Sequence, residues 1–140
     1  MAQLKAGTLI DGRTPTTKGN HKHEIHIPMN LDVFSTTSTT YVDVSDSIGF
    51  TPTNYYGYDV YFEANLAKNN TGTSAEVRLY DTTNNVTKAE FSQTVGPYVY
   101  TRFRSAVLSM TSCNLKVQLK ATGTTPTAYL GAARLVLIPQ

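Results

Sequence analysis

Polar and apolar residues alternate with a period of two through most of the chain after residue 23. The alternation is clearest from Tyr58 to Leu66, where Val60, Phe62 and Ala64 would share one face. A period of two predicts β-strands, because successive side chains of a strand point to opposite faces. The pattern predicts about eight strands, within residues 25–29, 39–45, 58–66, 75–80, 86–93, 98–108, 115–120 and 128–138. No segment has the 3.6-residue period of an amphipathic helix.

Turn sequences rich in Asn, Gly, Pro and Thr separate these strands, for example at residues 68–73, 81–85 and 123–126. Asn and Gly adopt the backbone conformations that tight turns require. Many short strands joined by polar turns are typical of antiparallel sandwiches and barrels. We therefore predict an all-β protein, an antiparallel two-sheet jelly-roll-like sandwich of about eight strands with an extended N-terminal arm.

Residues 1–22 differ from the rest of the chain because they show no sustained period. Their only large aliphatic side chains are Leu4, Leu9 and Ile10. Such a segment buries too little apolar surface to offset the entropy of ordering it alone. We predict an extended or flexible arm over residues 1–22, which orders against a partner through these three residues, and a β-sandwich domain over residues 23–140.

The composition narrows the class of function. Only 16% of the residues are charged, and 22 Thr, 9 Ser and 9 Asn supply the polarity instead. A net charge of +2 is too small for the clustered positive charge that nucleic acid requires, so we expect no nucleic-acid partner. No apolar run approaches the ~20 residues that span a bilayer or the apolar core of a signal peptide, so we expect no membrane partner and synthesis in the cytoplasm. The single cysteine, Cys113, is in phase with apolar neighbours and is expected in the core.

The candidate residues for chemistry are few. His21, His23 and His26 lie close together, and paired histidines on a jelly-roll strand can bind a metal in cupins. Their spacing is not that of cupins, so we predict no bound metal and no cofactor, with a metal-dependent cupin-like enzyme as the second alternative. A calcium loop at Asp81 lacks the ligand spacing that such loops need. No nucleophile motif is present either, and we expect no enzymatic activity.

A Tyr–Arg surface is the strongest candidate for binding. If Val99, Thr101 and Phe103 face the core, the residues between them face outward together. These are Tyr98, Tyr100, Arg102 and Arg104, with Tyr61 and Tyr80 as possible extensions. Tyr and Arg often anchor protein interfaces, since each combines a large contact area with a polar end. The alternatives are an ordinary solvated sheet face, an aromatic platform for sugars, and, less favoured, a face for single-stranded nucleic acid.

The last strand, residues 128–138, is apolar in both phases. Two-sided burial is typical of a strand covered by a neighbouring subunit or an arm. We predict that Tyr129, Leu135 and Leu137 contribute to an interface between subunits. Arg134 in the middle of this strand must then reach solvent or a carboxylate, because an unpaired buried charge is very costly.

From Tyr58 to Ile138 the chain resembles jelly-roll domains of phage and bacterial proteins, on the strand sequences Tyr61–Ala64, Ala75–Asp81, Tyr100–Ser105 and Ala133–Ile138. The leader is similar to the N-terminal arms of virion proteins. The resemblance implies a bacteriophage structural protein, a capsid decoration (cement) protein or a small tail-associated subunit. Such proteins are commonly trimers that clamp neighbouring shell subunits.

We therefore expect a non-enzymatic decoration protein that binds and stabilises the shell. Its partners would be capsid or other virion proteins and further copies of itself in a homotrimer. It would be located in the virion, which is assembled in the host cytoplasm. The first alternative is a carbohydrate-binding or receptor-binding domain of the tail-fibre type.

Overall fold

The computed structural model describes residues 23–140, which form ten β-strands and a single turn of 3-10 helix, Pro52–Tyr55. The strands are β1 Ile25–Asn30, β2 Phe34–Thr36, β3 Val42–Asp43, β4 Ile48–Phe50, β5 Tyr58–Lys68, β6 Thr73–Asp81, β7 Val86–Gln93, β8 Thr101–Arg104, β9 Cys113–Gly123 and β10 Ala128–Pro139. Within residues 23–140, no helix is long and apolar enough to cross a membrane.

The strands form two antiparallel five-stranded sheets. In sheet A the order is β1-β10-β5-β8, with β2 also pairing with β10. In sheet B the order is β3-β9-β6-β7, with β4 also pairing with β9. The fold class is thus confirmed as an all-β, antiparallel, jelly-roll-like sandwich. The predicted arm, with Leu4, Leu9 and Ile10, lies outside the described residues, so the division at residue 22 stays a prediction.

The core lies between the two sheets, where the inward side chains of β5, β6, β9 and β10 meet. Strict alternation produces this core: in β6, every second residue from Thr73 to Asp81 is buried. Cys113 at the start of β9 is part of this core, as predicted. Three stacked rings close one side of the sandwich, with Phe91 between Phe62 and Phe103 at centroid distances of 5.6 and 5.3 Å. Such ring pairs contribute beyond their buried area.

A β-bulge in β10 explains most of its apolar character. The pairing of β10 with β5 shifts between Leu130 and Ala133, so that one extra residue is inserted there. Leu130 before the bulge and Leu135 and Leu137 after it therefore face the same core, although their positions differ in phase. Leu135 and Leu137 have no exposed area. Their predicted role in an interface between subunits is wrong, because the second sheet of the same chain covers them.

The predicted strand over residues 98–108 is regular only in its middle third, as β8. Tyr98 has a φ of 58°, which is incompatible with a strand. The chain nevertheless follows β5 throughout: the amides of Tyr98, Ser105 and Leu108 donate to carbonyls of β5 at 2.7, 2.9 and 2.8 Å. Two very short strands, β2 and β4, were not expected, and the strand expected at 39–45 is limited to β3.

Candidate functional site

Three arginines surround one carboxylate on the outer face of sheet A. Glu63 on β5 lies opposite Arg104 on β8 and opposite Arg134 on β10. Its Oε1 accepts hydrogen bonds from Arg134 at 3.1 and 2.9 Å, and its Oε2 accepts from Nε of Arg104 at 2.5 Å. Arg102 approaches Oε1 at 3.9 Å. Arg134 therefore reaches a carboxylate, as its place in β10 requires.

The Glu63 carboxylate is ionised in this setting. Its side chain is only 4% exposed, and burial on its own would raise its pKa. Hydrogen bonds and positive charge from Arg104 and Arg134 have the opposite effect, and the pKa of Glu63 lies below its ordinary value of 4.5. One negative charge thus stands among three positive charges. Arg102 is the arginine least engaged by Glu63, because it approaches the carboxylate only to 3.9 Å and its side chain is 62% exposed.

Tyrosines continue this surface beside the arginines. Tyr98 packs on Tyr129 of β10 with ring centroids 5.9 Å apart. The ring of Tyr100 lies over Gly131 in the bulge, where a Cβ atom would be 3.5 Å from Tyr100 Cε1. This distance is an ordinary van der Waals contact, and the tighter neighbour of such a Cβ atom would be Asn65 at 3.3 Å. Tyr98 remains 66% exposed and Tyr100 47% exposed. We call Tyr98, Tyr100, Tyr129, Arg102 and Arg104 the Tyr–Arg surface.

A buried glutamine holds the loop that carries these tyrosines. Gln93 at the end of β7 has no exposed area. Its side-chain amide donates to the carbonyls of Leu66 at 3.1 Å and Val99 at 3.0 Å and to the Thr101 hydroxyl, and its Oε1 accepts from the Val95 amide at 3.0 Å. Residues 94–100, which we call the tyrosine loop, are thereby tied to both sheets. Exposed apolar side chains are concentrated in this loop, at Val95, Tyr98, Val99 and Tyr100.

The outer face of sheet B is different, because its charged side chains have polar, aromatic or charged partners within the face. Arg78 lies between the rings of Tyr41 and Tyr80 at 4.1 and 4.2 Å, and its Nε donates to Gln118 at 2.8 Å. The Tyr41 hydroxyl donates to Glu90, and burial together with this bond raises its pKa. Two ion pairs, Lys116–Asp43 and Lys120–Glu76, lie on the same face. Tyr80 therefore does not extend the Tyr–Arg surface, whereas Tyr61, 5.4 Å from Arg104 on sheet A, does.

The predicted candidates for metal binding do not come together in the described chain. His23 and His26 are exposed, and Nε2 of His26 is 3.0 Å from Glu24. His21 lies outside the described residues. From residue 23 onward, no group of three or more His, Cys, Asp or Glu side chains could hold a metal ion. The Asp81 carboxylate accepts from the amides of Thr83 and Asn84 and from the Asn84 side chain, which is a turn cap and not a calcium loop.

Glu63 and Gln93 were not recognised from the sequence. Each of them holds side chains or backbone groups of other strands, and only the strand pairing brings these groups next to it. The one available signal was an acidic residue at the centre of a buried strand, since such a residue is rarely found there without a partner.

No protein-family model matches the chain, and no curated protein is significantly similar to it. Solved structures do match. The VP2 subviral particle of infectious bursal disease virus aligns at 10% identity and a TM-score of 0.54, over 84% of this chain and 33% of that chain. The T13 viral particle of the same virus aligns at 10% identity and a TM-score of 0.51, over 84% of this chain and 31% of that one. The chain thus spans about a third of the length of the viral chains.

A carbohydrate-binding module, CBM36-1 from a xylanase of the Trinervitermes trinervoides hindgut metagenome, aligns at 12% identity and a TM-score of 0.49, over 84% of this chain and 98% of that one. At the identities of the viral matches, the likeness shows the fold alone. The protein is a jelly-roll-like β-sandwich of a type that also occurs in the VP2 subviral particle of infectious bursal disease virus. On the outer face of sheet B the charged side chains have partners within that face. The outer face of sheet A exposes tyrosine and arginine side chains.

Proposed function

We propose that this protein is a non-enzymatic structural protein of a bacteriophage virion, a capsid decoration protein that binds the assembled shell and stabilises it. The observation that carries the proposal is the Tyr–Arg surface on the outer face of sheet A. It combines exposed aromatic rings, two exposed guanidinium groups and a rigid sheet beneath them. Such surfaces form the centres of protein interfaces, because aromatic and arginine side chains contribute most of the binding energy there.

The contrast between the two outer faces supports this assignment. On sheet B, the charged groups of Arg78, Lys116 and Lys120 have partners within the face. On sheet A, Tyr98, Val99 and Tyr100 expose apolar area and Arg102 has only a distant partner. Exposed apolar area loses contact with water when a partner covers it, which favours association. The shell would therefore cover sheet A and leave sheet B in solvent.

In this proposal the subunits form a homotrimer, and residues 1–22 become ordered on neighbouring shell subunits through Leu4, Leu9 and Ile10. An arm that becomes ordered on binding adds contact area at the cost of its own entropy. The predicted location is the virion, with assembly in the host cytoplasm.

The test uses virus particles made without this protein, to which the purified chain is added back. We expect the added chain to bind and to raise the temperature at which the particles disassemble. A Tyr98→Ala/Tyr100→Ala double variant should lose most of this effect. Tyr41→Ala/Tyr80→Ala, the matched double change on the outer face of sheet B, should retain it. Equal effects of both variants, or particles that are equally stable with and without the chain, would contradict the proposal. Light scattering of the free chain measures its oligomeric state.

A carbohydrate-binding function is the second candidate, because the exposed rings of Tyr98 and Tyr100 can stack on sugars. A glycan array separates the two proposals. Binding to a defined glycan that Tyr100→Ala abolishes would favour the second candidate over the first.

A further inference from the structure

The free edge of sheet A lies beside the unbalanced arginines. β8 pairs with β5 on one side, and within residues 23–140 no strand pairs with its other side. Hydrogen-bonded and non-bonded pairs alternate along an antiparallel ladder. Because the Ser105 amide donates to Phe62 of β5, the backbone groups of Arg102 and Arg104 point away from β5. An exposed edge of this kind is a template for another strand.

The side chains around this edge define what that strand would carry. Arg102 and Arg104 are two residues apart on the same face, so their Cα atoms are separated by about 7 Å, twice the rise of a strand. Carboxylates two residues apart on an added strand would have the same spacing. Glu63 already occupies Arg134 and Arg104, and this leaves two positive charges without a counter-charge on the three strands.

The same edge also borders a groove of mixed polarity. The groove, of about 410 Å³, lies between β7 and the chain after β8. Its apolar lining comes from Ala89, Phe91, Ala106, Val107 and Leu108, and its polar lining from Lys88, Glu90, Arg104 and Ser105. Val107 is largely exposed there. The two charged residues on the β7 side, Lys88 and Glu90, are of opposite sign, and Glu90 also accepts the Tyr41 hydrogen bond. Alternate side chains of an added strand would therefore meet the apolar part of this lining.

We propose that the free edge of β8 binds an extended segment of a partner protein that has acidic residues at alternate positions and apolar residues between them. The carboxylates pair with Arg102 and Arg104, the apolar side chains enter the groove beside Phe91, and the backbone extends sheet A. The inference rests on the proposed function, since it names the chemistry of the partner that meets the Tyr–Arg surface.

Two other occupants fit this edge less well. The first 22 residues of another copy contain four basic residues and one acidic residue, Asp11, so they would be repelled by the arginines. Single-stranded nucleic acid could pair its phosphates with arginine and stack on tyrosine. The sugar–phosphate backbone has no donors for the free carbonyls of β8. A nucleic acid also lacks the alternation of charged and apolar groups that a β-strand would present.

The test measures binding of fluorescent peptides to the full chain by anisotropy. The probe is Ac-GSVEVEVSG-amide, and the controls are its Glu-to-Gln form and the rearranged Ac-GSVVEEVSG-amide, in which the acids are adjacent. We expect the alternating acidic peptide to bind about tenfold more tightly than either control, and more weakly at high salt. Nuclear magnetic resonance should show the largest shifts at the amides of residues 102–104.

Protein variants separate the sites. Arg102→Gln/Arg104→Gln should weaken peptide binding about tenfold or more. Lys116→Gln/Lys120→Gln on sheet B, the same change of charge, should leave it unaltered. Arg102→Gln alone leaves the bonds of Glu63 to Arg104 and Arg134 in place and serves if the double variant fails to fold. The inference would be overturned if the three peptides bound equally well or if none of them bound. It would also be overturned if the variants on the two sheet faces weakened peptide binding equally, or if oligo-dT bound more tightly than the acidic peptide.

The same variants distinguish this inference from the proposed function. If particles bind the Arg102→Gln/Arg104→Gln variant as well as the natural chain, the inference fails and the proposed function stands. If the acidic peptide binds and the particles do not, the proposed function fails and the inference stands.

Discussion

The side-chain amide of Gln93, in sheet B, donates a hydrogen bond of 3.1 Å to the backbone carbonyl of Leu66, in sheet A. The same amide group reaches Val99 and Thr101, so one buried side chain joins the two sheets to the tyrosine loop. A buried polar group of this kind is stable only when all its partners are present. The position of Tyr98 and Tyr100 therefore depends on a residue that no ligand would touch.

Replacement of Gln93 by Leu should lower the free energy of unfolding by about 2–4 kcal/mol, because buried groups of the loop and of β5 lose their partner. Urea denaturation measures this change, and faster hydrogen exchange at residues 95–100 would locate it. Gln118→Leu on the outer face of sheet B is the control, with a loss of about 1 kcal/mol or less. A small loss for Gln93→Leu and an ordered loop would show that other contacts hold the tyrosines.

Replacement of Glu63 by Gln should destabilise the protein by about 1–3 kcal/mol at neutral pH, less than for a fully buried pair because the arginines are partly exposed. The folded-state pKa of Glu63 is depressed below 4.5. Its charge therefore stabilises the fold above pH 4.5, and this stabilisation is lost as the pH falls through the folded-state pKa.

The difference between the natural chain and Glu63→Gln should accordingly shrink as the pH is lowered below 4.5. Urea midpoints measured across the acid range check this result. A difference that stays constant with pH would mean that the substitution acts through shape and not through charge.

Replacement of Gly123 by Ala should cost about 2–4 kcal/mol. Gly123 has a φ of +110°, and a Cβ atom there would overlap the carbonyl oxygen of Gly72. Gly96→Ala is the matched control, since nothing lies within 4 Å of its added Cβ, and it should be nearly neutral. Thermal unfolding of the two variants compares them directly, and equal midpoints would contradict the prediction.

Replacement of Thr125 by Asn should stabilise the fold by about 0.5–1 kcal/mol. Thr125 has a φ of 41°, in the left-handed region that β-branched residues avoid and Asn tolerates. Thr124→Asn, in the same turn but outside that region, should have no such effect. Denaturant midpoints decide the result, and a gain at both positions would point to a cause other than backbone conformation.

The strands that the sequence predicts well are those with uninterrupted alternation. In β5 and β6 the side chains keep one phase from end to end, and the predicted limits lie close to the observed ones. The prediction fails where the phase changes inside an element. A prediction with one fixed phase put Leu135 and Leu137 on the surface, because it could not include the bulge in β10. β8 begins three residues later than predicted, because Tyr98 has a left-handed backbone conformation. Very short strands such as β2 carry too few residues to show a period.

The sequence predicted most of the residues of the Tyr–Arg surface, but not the contacts that hold them in place. Tyr98, Tyr100, Arg102 and Arg104 alternate in the sequence, and the structure places them on one side of sheet A. The residues that hold them come from distant parts of the chain. Glu63 meets Arg104 only because β5 pairs with β8 in one register, and a sequence without its pairings contains no such information.

The extra residue in β10 has a consequence for deletions in this strand. Removal of one residue from the middle of a strand normally moves every following side chain to the opposite face of the sheet. A chain that lacked Ala132 would instead alternate regularly from Ala128 to Leu137, and every inward side chain would keep its place opposite β5. Gly131 would also stay on the outer face beside Tyr100. The centre of the last strand is therefore the place where this sandwich should tolerate the loss of a residue.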